Sequence, residues 1–169
     1  MSMEHMMSSI GSVELAQRAR VVAVAKEFVG TPYHHEGRLK GIGIDCATII
    51  AEVFERAGVV PHIDLPPYSP MWHVSRDEER YTEFIRRFAQ EVTGLRGPLP
   101  GDIVCWKFHR CFAHGAIVVD WPTVIHAFIN IGCVEDDALK NQVLAIVSER
   151  VPTQGQPRPM KVFSYWRDA

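Results

Sequence analysis

The stretch from Gly30 to Gly58, GTPYHHEGRLKGIGIDCATIIAEVFERAG, constrains the rest of the chain most tightly. It opens on a Gly-Thr-Pro turn and runs through a loop punctuated by Gly37, Gly41 and Gly43. Asp45 and Cys46 then stand immediately before an amphipathic run. Ile49, Ile50, Val53, Phe54 and Ala57 recur at helical spacing, and Gly58 supplies the stop. Asp is a good N-cap, because its carboxylate accepts a hydrogen bond from a free N–H of the first turn. The pattern puts Cys46 in the first turn of a helix. There the macrodipole and the unpaired N–H groups are expected to favour thiolate over thiol.

Two apolar runs lie downstream. HGAIVV begins with His114, and VIHAF contains His126. Each reads as a strand, with residues 120–123 as the turn between them. A cysteine at a helix start with histidines on nearby strands is the arrangement of a cysteine peptidase. The bland alternatives are real: a lone Cys is usually a small buried apolar residue, and a lone His in a strand is usually structural. Here the helix start, the glycine loop and two histidines occur together. Cys46 then reads as the nucleophile, His114 as the general base and acid, and His126 as the group that orients His114. Both histidines occupy even positions of neighbouring strands. A plain tight hairpin would not set them opposite, so a diagonal contact or a bulge is required.

With GTPY…G…DC, then GDIV, HGAIVV and VIHA, the sequence resembles the NlpC-type cell-wall cysteine peptidases over residues 15–128. The resemblance implies a papain-like α+β fold, an antiparallel sheet packed on helices, and a Cys, a His and a third polar residue at the site. It implies a peptide bond in the stem of bacterial peptidoglycan as substrate, the D-glutamyl to diamino-acid link, with no cofactor and no metal. Tyr33 matches the family's tyrosine in the G-x-P-Y turn. Its hydroxyl would help the oxyanion or bind substrate, or else the ring simply packs the turn. Asp45 reads as cap and positioner, and the resemblance also allows it a contact to a substrate amine. Tyr68-Ser69-Pro70-Met71-Trp72 resembles the branch found in phage tails and gene-transfer agents, which would make phage or prophage tail proteins its partners. Two departures bear on specificity more than on the reaction: Ala47 stands where the family usually has Ser, and Gly37 alone stands for a double glycine. Two alternatives stay open: an acyltransferase or amidase using the same thiol, and an inactive tail-assembly protein of the same fold.

Composition narrows the setting. The 169 residues suit one domain, 1–169, with residues 1–11 as a loose tail. A net charge of -2 gives no reason to invoke nucleic acid or an anionic membrane surface. No stretch is long and apolar enough to span a bilayer, and the start lacks the pattern of a signal peptide. The expected location is the cytoplasm as synthesised, and then a virion tail acting at the cell wall. The four cysteines show neither a C-x-x-C pair nor zinc-finger spacing, and no disulfide framework is expected. His34, His35, Glu36 and His109 raise a metal site. Adjacent histidines on a strand point opposite ways, which favours reading them as exposed loop residues.

The remaining elements are expected as follows. A helix covers residues 12–29, with Leu15, Ala19, Val22, Ala23 and Lys26 inward. An extended surface loop covers 59–73. A helix starts at Ser75 with Glu78 completing a capping box, and carries Tyr81, Phe84, Ile85, Phe88 and Val92 to a stop at Gly94. A strand covers 103–108 and a polar loop 107–112, where Cys111 has no assigned role. Residues 131–151 are ambiguous, with helical spacing at Leu139, Val143, Ile146 and Val147. A linker at 154–159 precedes a last strand at 161–166.

Overall fold

Helical and alternating runs segregate along this chain, and the architecture follows that segregation. The computed structural model describes residues 11–69, 79–108, 110–140 and 159–166. The first half supplies α1 (Ser12–Glu27), a small hairpin of β1 (Arg38–Leu39) and β2 (Gly43–Ile44), α2 (Thr48–Arg56) and α3 (Arg80–Arg86). The second half supplies β3 (Gln90–Glu91), β4 (Ile103–Phe108), β5 (Cys111–Asp120), β6 (Thr123–Phe128), β7 (Gly132–Asp137) and β8 (Met160–Ser164). These six form one antiparallel sheet in the order β3-β8-β4-β5-β6-β7. The fold class is therefore α+β.

Alternation along the strands sends successive side chains to opposite faces. Cys105, Ile117, Ile125, Ala127 and Phe163 face the helices, where Val21 and Ala25 of α1 and Ile49, Ile50, Val53 and Phe54 of α2 meet them. Val104, Trp106, Ala116, Val118, Val124, Phe128 and Val162 form a second cluster on the other face. Among the described residues no helix is long and apolar enough to cross a membrane. No disulfide joins the four cysteines.

Several expectations need correction. In α1 the inward residues are Arg18, Val21 and Ala25, followed by Phe28, while Ala19, Ala23 and Lys26 are exposed. The apolar residues of this run surround the helix, so no stripe stood out, and a buried ion pair sets the rotation. Arg18 donates to Asp102 Oδ1 at 2.9 Å and to the carbonyl of Pro100 at 2.8 Å, with its guanidinium 4.1 Å from the Trp166 ring centre. The helix expected to reach Val92 ends at Arg86, and Gln90–Glu91 instead pairs with β8. Residues 107–112 are mostly strand, not polar loop: Cys111 and Phe112 are apolar, buried and paired with Phe108 and Lys107. Residues 132–137 form β7, which removes the first part of the suggested helix. Val59, Val60 and Ile63 of the expected surface loop are buried in the core. The capping box at Ser75 and Glu78, the rest of the 131–151 run, the linker, and Met71, Trp72, His109 and the 1–10 tail lie outside the described residues.

Candidate active site

The start of α2 is built from Asp45. Ala47 and Thr48 N–H donate to its Oδ1 at 3.0 and 2.9 Å, Ile49 N–H donates to its carbonyl at 3.0 Å, and Asp45 N–H donates to Thr48 Oγ1 at 2.9 Å. This is a reciprocal capping box, worth on the order of 1 kcal/mol. It makes Cys46 the first residue after the cap, two positions ahead of the regular helix that starts at Thr48.

Asp45 also ties in two loops. Its Oδ2 accepts from Glu36 N–H at 2.8 Å and from the Tyr68 hydroxyl at 2.5 Å. With Thr48 Oγ1 at 3.0 Å, five donors converge on this fully buried carboxylate, which offers roughly four lone-pair sites. Glu36 itself has φ 57°, in the left-handed region that costs a side-chain-bearing residue roughly 1–2 kcal/mol. The bond to Asp45 and a bond from Tyr68 N–H to Glu36 Oε1 at 2.9 Å hold it there. It occupies the place of the missing first glycine.

Cys46 is half-buried. The tyrosine at position 81 donates its hydroxyl to the Cys46 carbonyl at 2.6 Å. Tyr33 forms a parallel bridge to Ile44 just before the cap and packs against the same core. Burial, reinforced by the charges at Cys46 and Asp45, pushes its phenol well above the ordinary range, so the hydroxyl remains a donor. The expected depression of the Cys46 thiol is overturned. The N–H groups of Cys46 and Ala47 do pull it down, but burial first and the Asp45 carboxylate second outweigh them, and the thiol is pushed well up. At neutral pH it rests protonated and needs a base.

The histidines meet as a pair. The β5–β6 register sets Ile117 opposite Ile125 and Val118 opposite Val124, with a bulge between Val118 and Asp120. His114 and His126 are therefore diagonal neighbours, two residues out of register. His114 Nε2 lies 2.8 Å from His126 Nδ1, with the rings nearly perpendicular. His114 is 5 % exposed and His126 0 %. Trp106, Phe108 and Phe128 surround the His114 ring. Burial pulls the His126 imidazole below its ordinary value, against a smaller upward effect of Asp136.

The structure thus gathers two groups. Cys46, Tyr33, Asp45, Tyr68 and Tyr81 form one, and His114 with His126 the other. Gly115, next to His114 in β5, packs against the first group: a Cβ there would lie 2.6 Å from the Tyr81 hydroxyl and 3.0 Å from Ile50 Cδ1. His34 is an exposed loop residue, its Nδ1 against the His35 carbonyl, but His35 is half-buried and joins the first group, with Nε2 2.7 Å from the Tyr68 carbonyl and Nδ1 3.5 Å from Asp45 Oδ2. Among the described residues no group of three or more His, Cys, Asp or Glu is placed to hold a metal ion.

Sequence reasoning missed three residues. Tyr81 read as part of an apolar stripe, and nothing local distinguishes its hydroxyl. Tyr68 was marked only as part of a resembling segment. Asp136, whose Oδ2 lies 3.6 Å from His126 Nε2, sat in a run read as an ambiguous helix. Alternation of Cys133 and Val134 after a Gly132 turn was the available signal for a strand there.

The sequence matches no protein-family model and no curated protein. Solved structures do match. The NlpC/p60 domain of the peptidoglycan hydrolase SagA aligns with a TM-score of 0.55 and 17 % identity, over 86 % of this chain and 97 % of that one. NlpC2 from Trichomonas vaginalis aligns with a TM-score of 0.59 and 16 % identity, over 90 % of this chain and 47 % of that one. An NlpC/p60 family protein from Bacillus cereus aligns with a TM-score of 0.54 and 16 % identity, over 85 % and 39 %. The chain spans less than half the length of the latter two. At these identities the likeness is one of architecture, and the architecture of this chain is the NlpC/p60 fold.

Proposed function

We propose that the chain is a cysteine peptidase of peptidoglycan stem peptides, with Cys46 as nucleophile, His114 as base and acid, and His126 as the group that orients His114. The observation that carries the reading is the buried 2.8 Å contact between His114 Nε2 and His126 Nδ1, beside the strand position that packs against the Cys46 support. It joins the two histidines that the motif pairs with a cysteine on a helix start. The fold shared with a domain of a peptidoglycan hydrolase agrees with it.

In this mechanism the substrate carbonyl enters beside Cys46. His114 takes the thiol proton as the sulfur attacks, which suits a thiol that rests neutral. The backbone N–H of Cys46 at the helix start, with Tyr33 as a donor, faces the developing oxyanion. The C–N bond breaks as His114 returns the proton to the leaving amine, and water hydrolyses the acyl-enzyme. Asp45 acts as a positioner. Its lone pairs are occupied, so a substrate amine reaches it only by displacing Tyr68. The segment at residues 68–72 supports a finer reading, a phage or prophage tail component that opens the wall locally.

The test is turnover of synthetic tripeptide and tetrapeptide stems against release of peptides from purified sacculi. Cys46→Ala abolishes both, and His126→Asn retains more activity than His126→Ala, because Asn still accepts a hydrogen bond from the His114 ring. Hydrolysis surviving in Cys46→Ala sinks the mechanism. Stem cleavage that exceeds sacculus digestion supports targeting by a tail partner. One observation favours a second reading, a binder that no longer cleaves: the raised Cys46 thiol. Stem peptides that bind wild-type protein but are never cleaved would select it.

A further inference from the structure

Behind His126 two buried polar atoms face each other. His126 Nε2 and Asp136 Oδ2 are 3.6 Å apart, a few tenths of an ångström beyond a normal hydrogen bond, and neither has another hydrogen-bond partner. His126 is fully buried, and the Asp136 side chain is 14 % exposed. Leaving both atoms orphaned would cost the desolvation of each. The register explains their approach: β7 pairs Val134 with His126 and Asp136 with Val124, so Asp136 is the diagonal neighbour of His126. His114, His126 and Asp136 therefore form one diagonal row across β5, β6 and β7, on the sheet face of Trp106 and Phe128.

We propose that Asp136 is a positioning residue that holds His126 in its Nε2–H tautomer, so that His126 Nδ1 accepts from His114 Nε2–H and His114 Nδ1 is left to take a proton. The inference rests on the thiol hydrolase reading. Each ring nitrogen's role is fixed by the bond made by the other. With Nε2–H directed at the carboxylate, Nδ1 carries only a lone pair, and the 2.8 Å contact fixes the proton on His114 Nε2. The proton from the Cys46 thiol then enters at His114 Nδ1, and the same nitrogen returns it to the leaving amine. No proton leaves Asp136. Its charge instead compensates the imidazolium that forms in an apolar surround, where an uncompensated cation is costly. Among the described residues, two titratable groups face His126. From β5 comes His114, and from β7 Asp136. Cys133, Glu135 and Asp137 alternate to the opposite side, and β4 contributes the aromatic rings of Trp106 and Phe108 around His114.

Asp136→Asn and Asp136→Leu separate charge from tautomer. Asn keeps an acceptor for Nε2–H and loses the charge. We expect kcat on stem peptides to fall by about 10- to 100-fold with KM little changed, as for other outer-shell partners of histidine. We also expect the acid limb of kcat/KM to move to lower pH, because the histidine pair loses the anion that favours its protonation. Leu removes the acceptor as well. We expect a larger fall, and the Nδ1–H tautomer of His126 to appear in nitrogen-15 spectra. Far-UV circular dichroism checks that both variants fold. Wild-type kcat and an unmoved acid limb in folded Asp136→Asn and Asp136→Leu would overturn the proposal. The tautomer is also read in Cys46→Ala protein, where turnover plays no part. If wild type turns over no stem peptide, the hydrolase reading fails and this measurement alone decides: His126 found as Nδ1–H overturns the role of Asp136, and Nε2–H reverting on substitution by Leu upholds it.

Discussion

At the scale of single residues, the chemistry turns on what surrounds one sulfur. Cys46 has the helix start that the sequence indicates, and the two N–H groups pull in the expected direction. The same fold brings the Asp45 carboxylate and apolar cover close enough to outweigh them. Iodoacetamide is therefore expected to modify Cys46 before Cys105, Cys111 and Cys133, because these three are buried and Cys46 is half-exposed. The rate should climb from about pH 8 to about pH 10, as expected for a thiol above the usual value of roughly 8.5. A rate that is already flat at neutral pH would mean a standing thiolate, and a pre-formed ion pair with His114 in place of general-base transfer.

At the scale of elements, α2 and α3 both meet β5 at Gly115, whose missing side chain makes room for Ile50 of α2 and the Tyr81 hydroxyl of α3. Gly115→Ala places a Cβ 2.6 Å from that oxygen and 2.8 Å from the ring. Tyr81 cannot retreat without releasing the Cys46 carbonyl. The expected cost is about 1–3 kcal/mol, or roughly 2–4 °C in Tm for each kcal/mol. Tyr81→Phe leaves the carbonyl without its donor, removes the nearer of the two contacts and frees the ring to shift, so Gly115→Ala should cost less in that background than alone. Equal losses in both backgrounds, by thermal melting, would show that the two residues do not share the contact. This junction also marks how far the sequence could be read. The cap, α2, and the β4, β5 and β6 strands carry their own local signals, and the need for a diagonal His114–His126 contact followed from counting positions. Tyr81, Asp136 and the rotation of α1 depend on partners 35, 10 and 84 positions away in the chain. No local period encodes such pairings, and β7 was obscured because helical spacing downstream overlapped its start.

At the scale of the whole molecule, the core keeps its thiols protonated. Burial pushes Cys133 up to about 12 and Cys105 well above the ordinary thiol range, and it does the same for Cys46. Above pH about 9 the unfolded chain sheds these protons while the folded chain retains them. The folded state then binds more protons, so stability falls as pH rises from about 9. The urea midpoint should drop between about pH 8 and about pH 10, and by less in Cys105→Ala/Cys133→Ala protein than in wild type. An equal drop in both would assign the loss to other groups. The strand order has a further consequence. β8, which follows every other strand in chain order, lies between β3 and β4, and α1 ties to this end of the sheet through Arg18 to Ser164 and Trp166 to Gln17. A growing chain on the ribosome therefore carries α2 long before the sheet beneath it can close. The six-stranded sheet comes into register only after translation has passed Trp166, so a chain cut short before β8 lacks the strand that joins β3 to β4.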